Sequence, residues 1–408
     1  MKKILFFITL FCTLSLFADQ SINHIIAHAQ AGSKITLPKG VFRGPIVIDK
    51  PLILEGSGKE SIIQGDGNGT VIMIKSSYVT IQNLSITNSG HQRHRLDSGI
   101  KVDQAHHVTI ENCHIYKTLF GIILFDTSHS KIINNTIKSY QDSVIDNRGD
   151  GIRLWNSHNN LIAKNHLIGS RDLSLNRSNH NKINHNTLEY GRFSILINMS
   201  HDVSINANNI YSNYAGVRCV GSKNIDITNN QIVKTHLTTG TGIMLEGGKN
   251  IHVTHNVLTG HSQAFFINAS SAEIGMQRYI KYNKIINNNV AFHFYNAIKN
   301  NTIKYNNVIG NLEDVVKDIR GGQYYHNDIE MNYWDRYVGF DKDKDGISDI
   351  PYQVLIYADQ LWQFEQHLKF FYATPLLSVI DLLERLAPFS QPVLLIEDTK
   401  PKTKPVRL

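Results

Sequence analysis

A repeat of about 22 residues, a period that means a solenoid or an array, governs the stretch from Gly99 to Asn327. Gly121-Ile122-Ile123-Leu124 leads to Ile132-Ile133-Asn134-Asn135-Thr136-Ile137. Gly151-Ile152-Arg153-Leu154 and Gly242-Ile243-Met244-Leu245 open the same pattern again. One position can be followed as Leu84, Cys113, Asn135, Asn165, Asn186, Asn208, Asn230, Asn256, Asn283, Asn306 and Asn327, in steps of 21 to 30 residues.

Residue types choose among solenoids. Each unit alternates apolar and polar positions in short runs broken by Asn, Gly, Ser and His, which predicts strand, turn and strand without a helix. The fixed leucine spacing of leucine-rich repeats is absent. The expected fold is all-β: a right-handed parallel β-helix with an N-terminal helical cap and C-terminal helical segments. Stacked positions in such a coil lie about 4.8 Å apart. Inward columns would then be Ile110, Ile132, Ile162, Ile183, Ile205, Ile227 and Val253. The Asn column would be a hydrogen-bonded ladder at a turn. A second turn column reads His107, His129, Asn159, His180, Asp202, Asn224 and Asn250.

Taken in order, residues 1–18 read as a cleaved secretory leader, with Lys2 and Lys3 before the apolar run Ile4 to Phe17. Export to a periplasm or the cell exterior is therefore expected. Residues 19–78 are expected to hold the cap and first coils, with a short helix over Ile22 to Ala31. Residues 79–331 are the repeats. Residues 332–357 form an acidic, calcium-like loop region. Residues 358–408 are read as amphipathic helices that plug the rod or dock on a partner, followed by a mobile Lys/Pro-rich tail from Asp398. The formal charge of +7 includes two leader lysines and is dispersed, which argues against nucleic acid. Cys113 and Cys219 are five repeats apart and cannot bridge.

Long steps between repeats mark insertions, and insertions at one corner stack on one face, often the binding face. Asn88 to Asp97 carries His91, Arg93, His94 and Arg95. Ser139 to Asp150 carries Asp142, Asp146, Arg148 and Asp150. A smaller one lies near His236. The pairing of carboxylates with Arg153 keeps a carbohydrate lyase or hydrolase open as an alternative; Asp150 beside Gly151 also reads as a turn residue. Further along, Asp341, Asp343, Asp345, Gly346 and Asp349 match the start of an EF-hand-like loop, in which alternating oxygens wrap a hard cation. Tyr352 stands where that loop has its bidentate Glu, so a structural Ca²⁺ and a plain acidic turn both remain open. His91, His94 and His236 are candidates for a metal or a partner.

Asn332-Tyr333-Trp334-Asp335, the block Gly339 to Tyr352, Lys369-Phe370-Phe371-Tyr372 through Pro388-Phe389, Gly149 to Ser157, Arg171-Asp172 and Gly191-Arg192-Phe193 together resemble the NosD family of periplasmic β-helix proteins. The resemblance implies a non-catalytic role in maturing nitrous-oxide reductase. The family works with an ABC transporter (permease and ATPase) and a copper-chaperone lipoprotein to supply the enzyme's copper–sulfide site. It also implies membrane association through the partner and transient handling of copper or sulfur. In many members a His/Met-rich stretch follows the repeat arginine. Here Leu196 and Asn198 stand in those places, leaving Met199 and Cys219 as remnants. A surface adhesin is a third alternative.

Overall fold

A computed structural model describes residues 22–142, 144–211, 213–234, 240–268, 275–318, 326–356, 374–375, 379, 382–383 and 393–408. The expected leader, His236 and most of the expected C-terminal helices lie outside the described residues.

The coil has three sides. Three parallel sheets of 13, 13 and 12 strands run the length of the rod. The first starts at Lys34–Leu37 and ends at Asp328–Glu330. The second starts at Gly40–Arg43 and ends at Tyr333–Trp334. The third starts at Ile46–Ile48 and ends at Glu313–Lys317. Every strand pairs with its equivalents one coil away in sequence, as in Ile110 with Ile132 and Ile132 with Ile162. Twelve spacings of about 4.8 Å give a rod of roughly 58 Å. The first coils, whose glycines hide the repeat, stack in the same register.

Inward columns hold the rod together. Ile110, Ile132, Ile162, Ile183, Ile205, Ile227 and Val253 are all buried. Each removes an aliphatic side chain from water, worth about 1.5 to 3 kcal/mol. Helix Ile22–His28 lies across the first coil and buries Ile22 and Ile26. Lys50 Nζ donates to the Ala27 carbonyl, 2.8 Å away, at the end of that helix. The cap covers strand edges that would otherwise template association.

The Asn ladder forms at the turn from the first sheet to the second. Asn186 N–H and Nδ2 both donate to Asn208 Oδ1, at 2.8 and 3.0 Å, and Nδ2 also donates to the Ile162 carbonyl. The residue before each ladder Asn is left-handed: Asn134, Lys164, His185, Ala207, Asn229 and His255 have φ of 55 to 58°. Such a conformation costs a non-glycine residue about 1 kcal/mol or more. Ladder bonds offset it at each coil. The second turn column is likewise left-handed at every position from His107 to Asn250, while the residue after it carries the hydrogen bonds, as in Ser130 N–H to Asn160 Oδ1.

The end of the rod differs from the sequence reading in two ways. Asn306 is followed in the ladder by Asn332, not Asn327. Asn327 belongs to the other turn, where its Oδ1 accepts from Asn301. The tail, expected to be mobile, is docked. Val393–Asp398 pairs antiparallel with Tyr352–Ile356, and Lys402 N–H donates to the Asn332 carbonyl. Trp334, Tyr352, Leu395 and Ile396 join the core there. Apolar and ladder contacts outweigh the polar composition that suggested mobility.

Candidate functional site

The corner between the second and third sheets carries the insertions. A column of glycines opens the third-sheet strands, and a Cβ on Gly121 would sit 2.3 Å from the Gly151 carbonyl oxygen. Only glycine lets successive coils close up here. The chain segments looping out just before these glycines therefore stack on one another.

They meet directly. His91 stacks on Tyr140 with ring centroids 4.1 Å apart. Arg93 Nη1 donates to the Asp146 carbonyl. Leu96 and Tyr140 cover Leu119, Phe120 and Ile123. Asp142 accepts from Val144 N–H, and its carbonyl accepts from Arg148 Nε at 2.8 Å. Arg148 Nη1 reaches the Gly169 carbonyl at 3.1 Å. Asp142 and Arg148 thus shape the insertion rather than face a ligand.

Asp150 is the inner member of a charged chain that crosses coils. Arg171 Nη2 lies 2.7 Å from Asp150 Oδ1, and Arg171 Nε lies 3.2 Å from Asp172 Oδ2. Ser174 Oγ donates to Asp150 Oδ2 at 2.8 Å. Arg192 bridges Asp172, at 2.5 Å, and Asp146, at 2.7 Å. Phe193 N–H donates to Asp172 Oδ1. Asp150 and Asp172 are 1% and 2% exposed, Asp146 64% on its side chain. Burial raises the Asp172 carboxyl above its ordinary value, Asp150 adds to that, and Arg192 opposes it. Both buried carboxylates are engaged by arginine, so neither is open to a sugar as acid or base. Arg171 and Arg192 sit one coil apart at this corner, and each meets the buried Asp of the preceding coil.

Outside this chain lies a cationic and aromatic face. Arg153 sits 5.7 Å from the rings of both Phe120 and Trp155, and among the described residues it has no carboxylate partner. Arg192 and Arg218 flank Phe193 at 4.5 and 4.9 Å. Arg218 forms a two-toothed pair with Glu246.

Among the described residues, His91, His94 and Cys219 form no common ligand group. Cys219 points into the core with 0% exposure, and burial pushes its thiol up to about 12; a thiolate ligand is not open to solvent there. Met199 is 59% exposed at a turn. Leu196 lies on the third sheet in register with Arg218, then Met244 one coil further. Asn198 donates to Asn176 Oδ1. An alkyl group and an engaged amide do not fit copper at those two positions. His94 is exposed in the single turn Arg93–Arg95.

In the acidic loop, Asp341, Asp343 and Asp345 each offer a carboxylate oxygen within 4.8 Å of the others. Asp349 instead accepts from Lys342 N–H at 2.8 Å. Tyr352 donates to Asp314 Oδ2 and takes no part. Asp341 Oδ1 is buried without a hydrogen-bond partner, and Gly346 has φ of 84°. An oxygen of that kind suits a hard cation. The other ligating group among the described residues is His180, His201 and Asp202; in sequence His180 and Asp202 read as turn residues, and His201 stands outside the turn column.

A three-sided parallel coil with stacked corner insertions defines the class of right-handed parallel β-helix proteins. Residues 51–145 match the family model described as "Right handed beta helix region". Residues 137–339 match "Periplasmic copper-binding protein (NosD)". The "Probable ABC transporter binding protein NosD" of Pseudomonas aeruginosa is 24% identical over 90% of this chain and 88% of its own. That of Stutzerimonas stutzeri is 22% identical over 91% and 87%. The chain is a NosD-like right-handed β-helix protein. Among solved structures, a thermostable α-1,3-glucanase from Streptomyces thermodiastaticus superimposes with a TM-score of 0.60 at 14% identity, over 77% of this chain and 65% of its own. A mannuronic-acid-specific family 6 polysaccharide lyase from human gut microbiota gives 0.58 at 15%, over 79% and 86%. At such identities the likeness is one of fold. Among the described residues, no helix is long and apolar enough to cross a membrane.

Proposed function

We propose that this protein is a periplasmic, non-catalytic maturation factor for nitrous-oxide reductase, docking on an ABC transporter and serving assembly of the copper–sulfide site. The observation that carries this reading is the match to NosD relatives over about nine-tenths of the chain. It is supported by the state of the corner carboxylates, which are saturated by arginine and suit a rigid docking face better than glycoside chemistry. The stacked insertions and the cationic, aromatic face beside them, with Arg153, Phe193 and Arg218, are the surface offered to the enzyme or to the copper-chaperone lipoprotein. Membrane association runs through the transporter's permease. Copper, if this chain carries it, is cargo.

The loop at Asp341, Asp343 and Asp345 holds a structural Ca²⁺ in this reading. Thr403 N–H donates to the Gly346 carbonyl, so an ion would fix the loop against the docked tail. The test of the docking claim is co-purification of the tagged mature chain with the transporter from membranes, followed by metal analysis. Recovery of permease and ATPase with the wild type is expected. Their absence under conditions that keep the transporter intact overturns it.

A further inference from the structure

We propose that His180, His201 and Asp202 form a binding site for one borderline divalent transition metal, zinc(II) or copper(II). This site is separate from the docking face and does not rest on the maturation reading. The three side chains sit on consecutive coils at the turn from the third sheet to the first. One donor atom from each lies within 4.8 Å of the others. Asp202 Oδ2 is 2.6 Å from His201 Nδ1 and 3.6 Å from His180 Nδ1.

The geometry is built rather than accidental. His180 and Asp202 are both left-handed, with φ of 56° and 55°, which turns their side chains out of the coil. The His180 N–H donates to the His201 carbonyl at 3.0 Å, fixing one turn on the next. Asp202 Oδ1 accepts from Asn224 Nδ2 at 2.8 Å, which leaves Oδ2 directed at the imidazoles. Elsewhere on this column rings lie flat on each other: His107 and His129 stack at 23°. His180 and His201 are perpendicular, at 90°. Stacked imidazoles aim their lone pairs apart. Here both Nδ1 atoms converge on one carboxylate oxygen.

The donor set chooses the metal. Two imidazoles and a carboxylate suit zinc(II) and copper(II), whereas calcium prefers oxygen alone and copper(I) prefers thiolate or thioether. Side-chain exposures of 52%, 46% and 36% leave the metal's remaining positions to water or to a partner's ligand.

The test uses the tag-free mature chain, stripped with chelator, and titrates zinc(II) and copper(II) separately by calorimetry. Copper(II) is also followed by electron paramagnetic resonance. One ion per chain is expected, with nitrogen hyperfine structure from two imidazoles. His180→Gln and His201→Gln should each weaken binding about tenfold or more, and His129→Gln, on the same column, should not. Absence of binding to the wild type, or undiminished affinity in both His180→Gln and His201→Gln, overturns the site. Should either glutamine variant melt early, Asp202→Asn replaces it: Asn224 can still bond the amide oxygen, so a loss of affinity supports the site and full affinity overturns it.

Discussion

Asp398 takes the place on Asn332 that an asparagine of the next coil would hold. The Asn332 N–H and Nδ2 both donate to Asp398 Oδ2, at 3.1 and 2.9 Å, repeating the geometry by which Asn306 donates to Asn332. Trp334 Nε1 adds a third bond at 3.0 Å. The ladder thus ends on a carboxylate delivered by the tail from 66 residues away.

Asp398→Ala removes that acceptor and leaves the buried Asn332 N–H and Trp334 Nε1–H without their partner, while Asn332 Nδ2 keeps the Ile303 carbonyl. Each such loss costs about 1 to 3 kcal/mol, so the end of the rod opens first. Asp398→Asn keeps an oxygen in place and costs much less. Hydrogen exchange at Asn332 and Trp334, together with denaturant midpoints, separates the two variants. Equal midpoints for Asp398→Ala and wild type would contradict this role.

Asp314 gives the rod an acid-side dependence. Burial raises its carboxyl to about 6, against which the Tyr352 hydroxyl works; its Oδ1 has no hydrogen-bond partner. A raised carboxyl is favourable to folding while protonated, below its unfolded value near 3.8. That contribution is lost as pH rises through about 6. Asp314→Asn removes the loss, so its stability from pH 4 to 7 should be flatter, by up to about 2 to 3 kcal/mol. Parallel urea midpoints for variant and wild type across that range would argue against it.

Asp150→Ala leaves Arg171 facing a gap at a buried pair. Breaking such a pair from one side costs about 3 to 5 kcal/mol, and the double change of Asp150 and Arg171 to apolar residues should recover much of it. Thermal melts of the single and double variants check the coupling. An enzyme would show something else: turnover of a uronic-acid polymer by the wild type, lost in a folded Asp150→Ala.

A Ca²⁺ held by the acidic loop, as proposed, would steady the docked tail. In wild type, added Ca²⁺ should raise the melting midpoint and chelation should lower it, whereas Asp343→Ala should not respond. Identical midpoints in both proteins, with and without Ca²⁺, would leave no structural ion there.

Sequence made the coil legible because two independent periods agree. The Ile column from Ile110 to Val253 and the ladder column from Cys113 to Asn256 rise by the same steps. The last step misled: Asn327 and Asn332 lie five apart in neighbouring turns, and choosing between them needs the register of Thr302 with Asp328. The insertions were visible as long steps, and their contact through His91 and Tyr140 follows from stacking. The cross-coil chain from Asp150 to Arg192 was not visible, since its members are some 20 residues apart and each resembles an ordinary turn residue. Asp398 was hidden by composition, because a Lys/Pro-rich stretch carries no period to place it.

Nitrous-oxide reductase made with and without this protein, in the same host and copper supply, tests the central claim most directly. The readout is the copper and acid-labile sulfide of the purified enzyme and the spectrum of its copper–sulfide site. Maturation predicts enzyme that lacks the site when this chain is deleted and regains it on complementation. Enzyme carrying a full copper–sulfide site in the deletion strain would contradict the account.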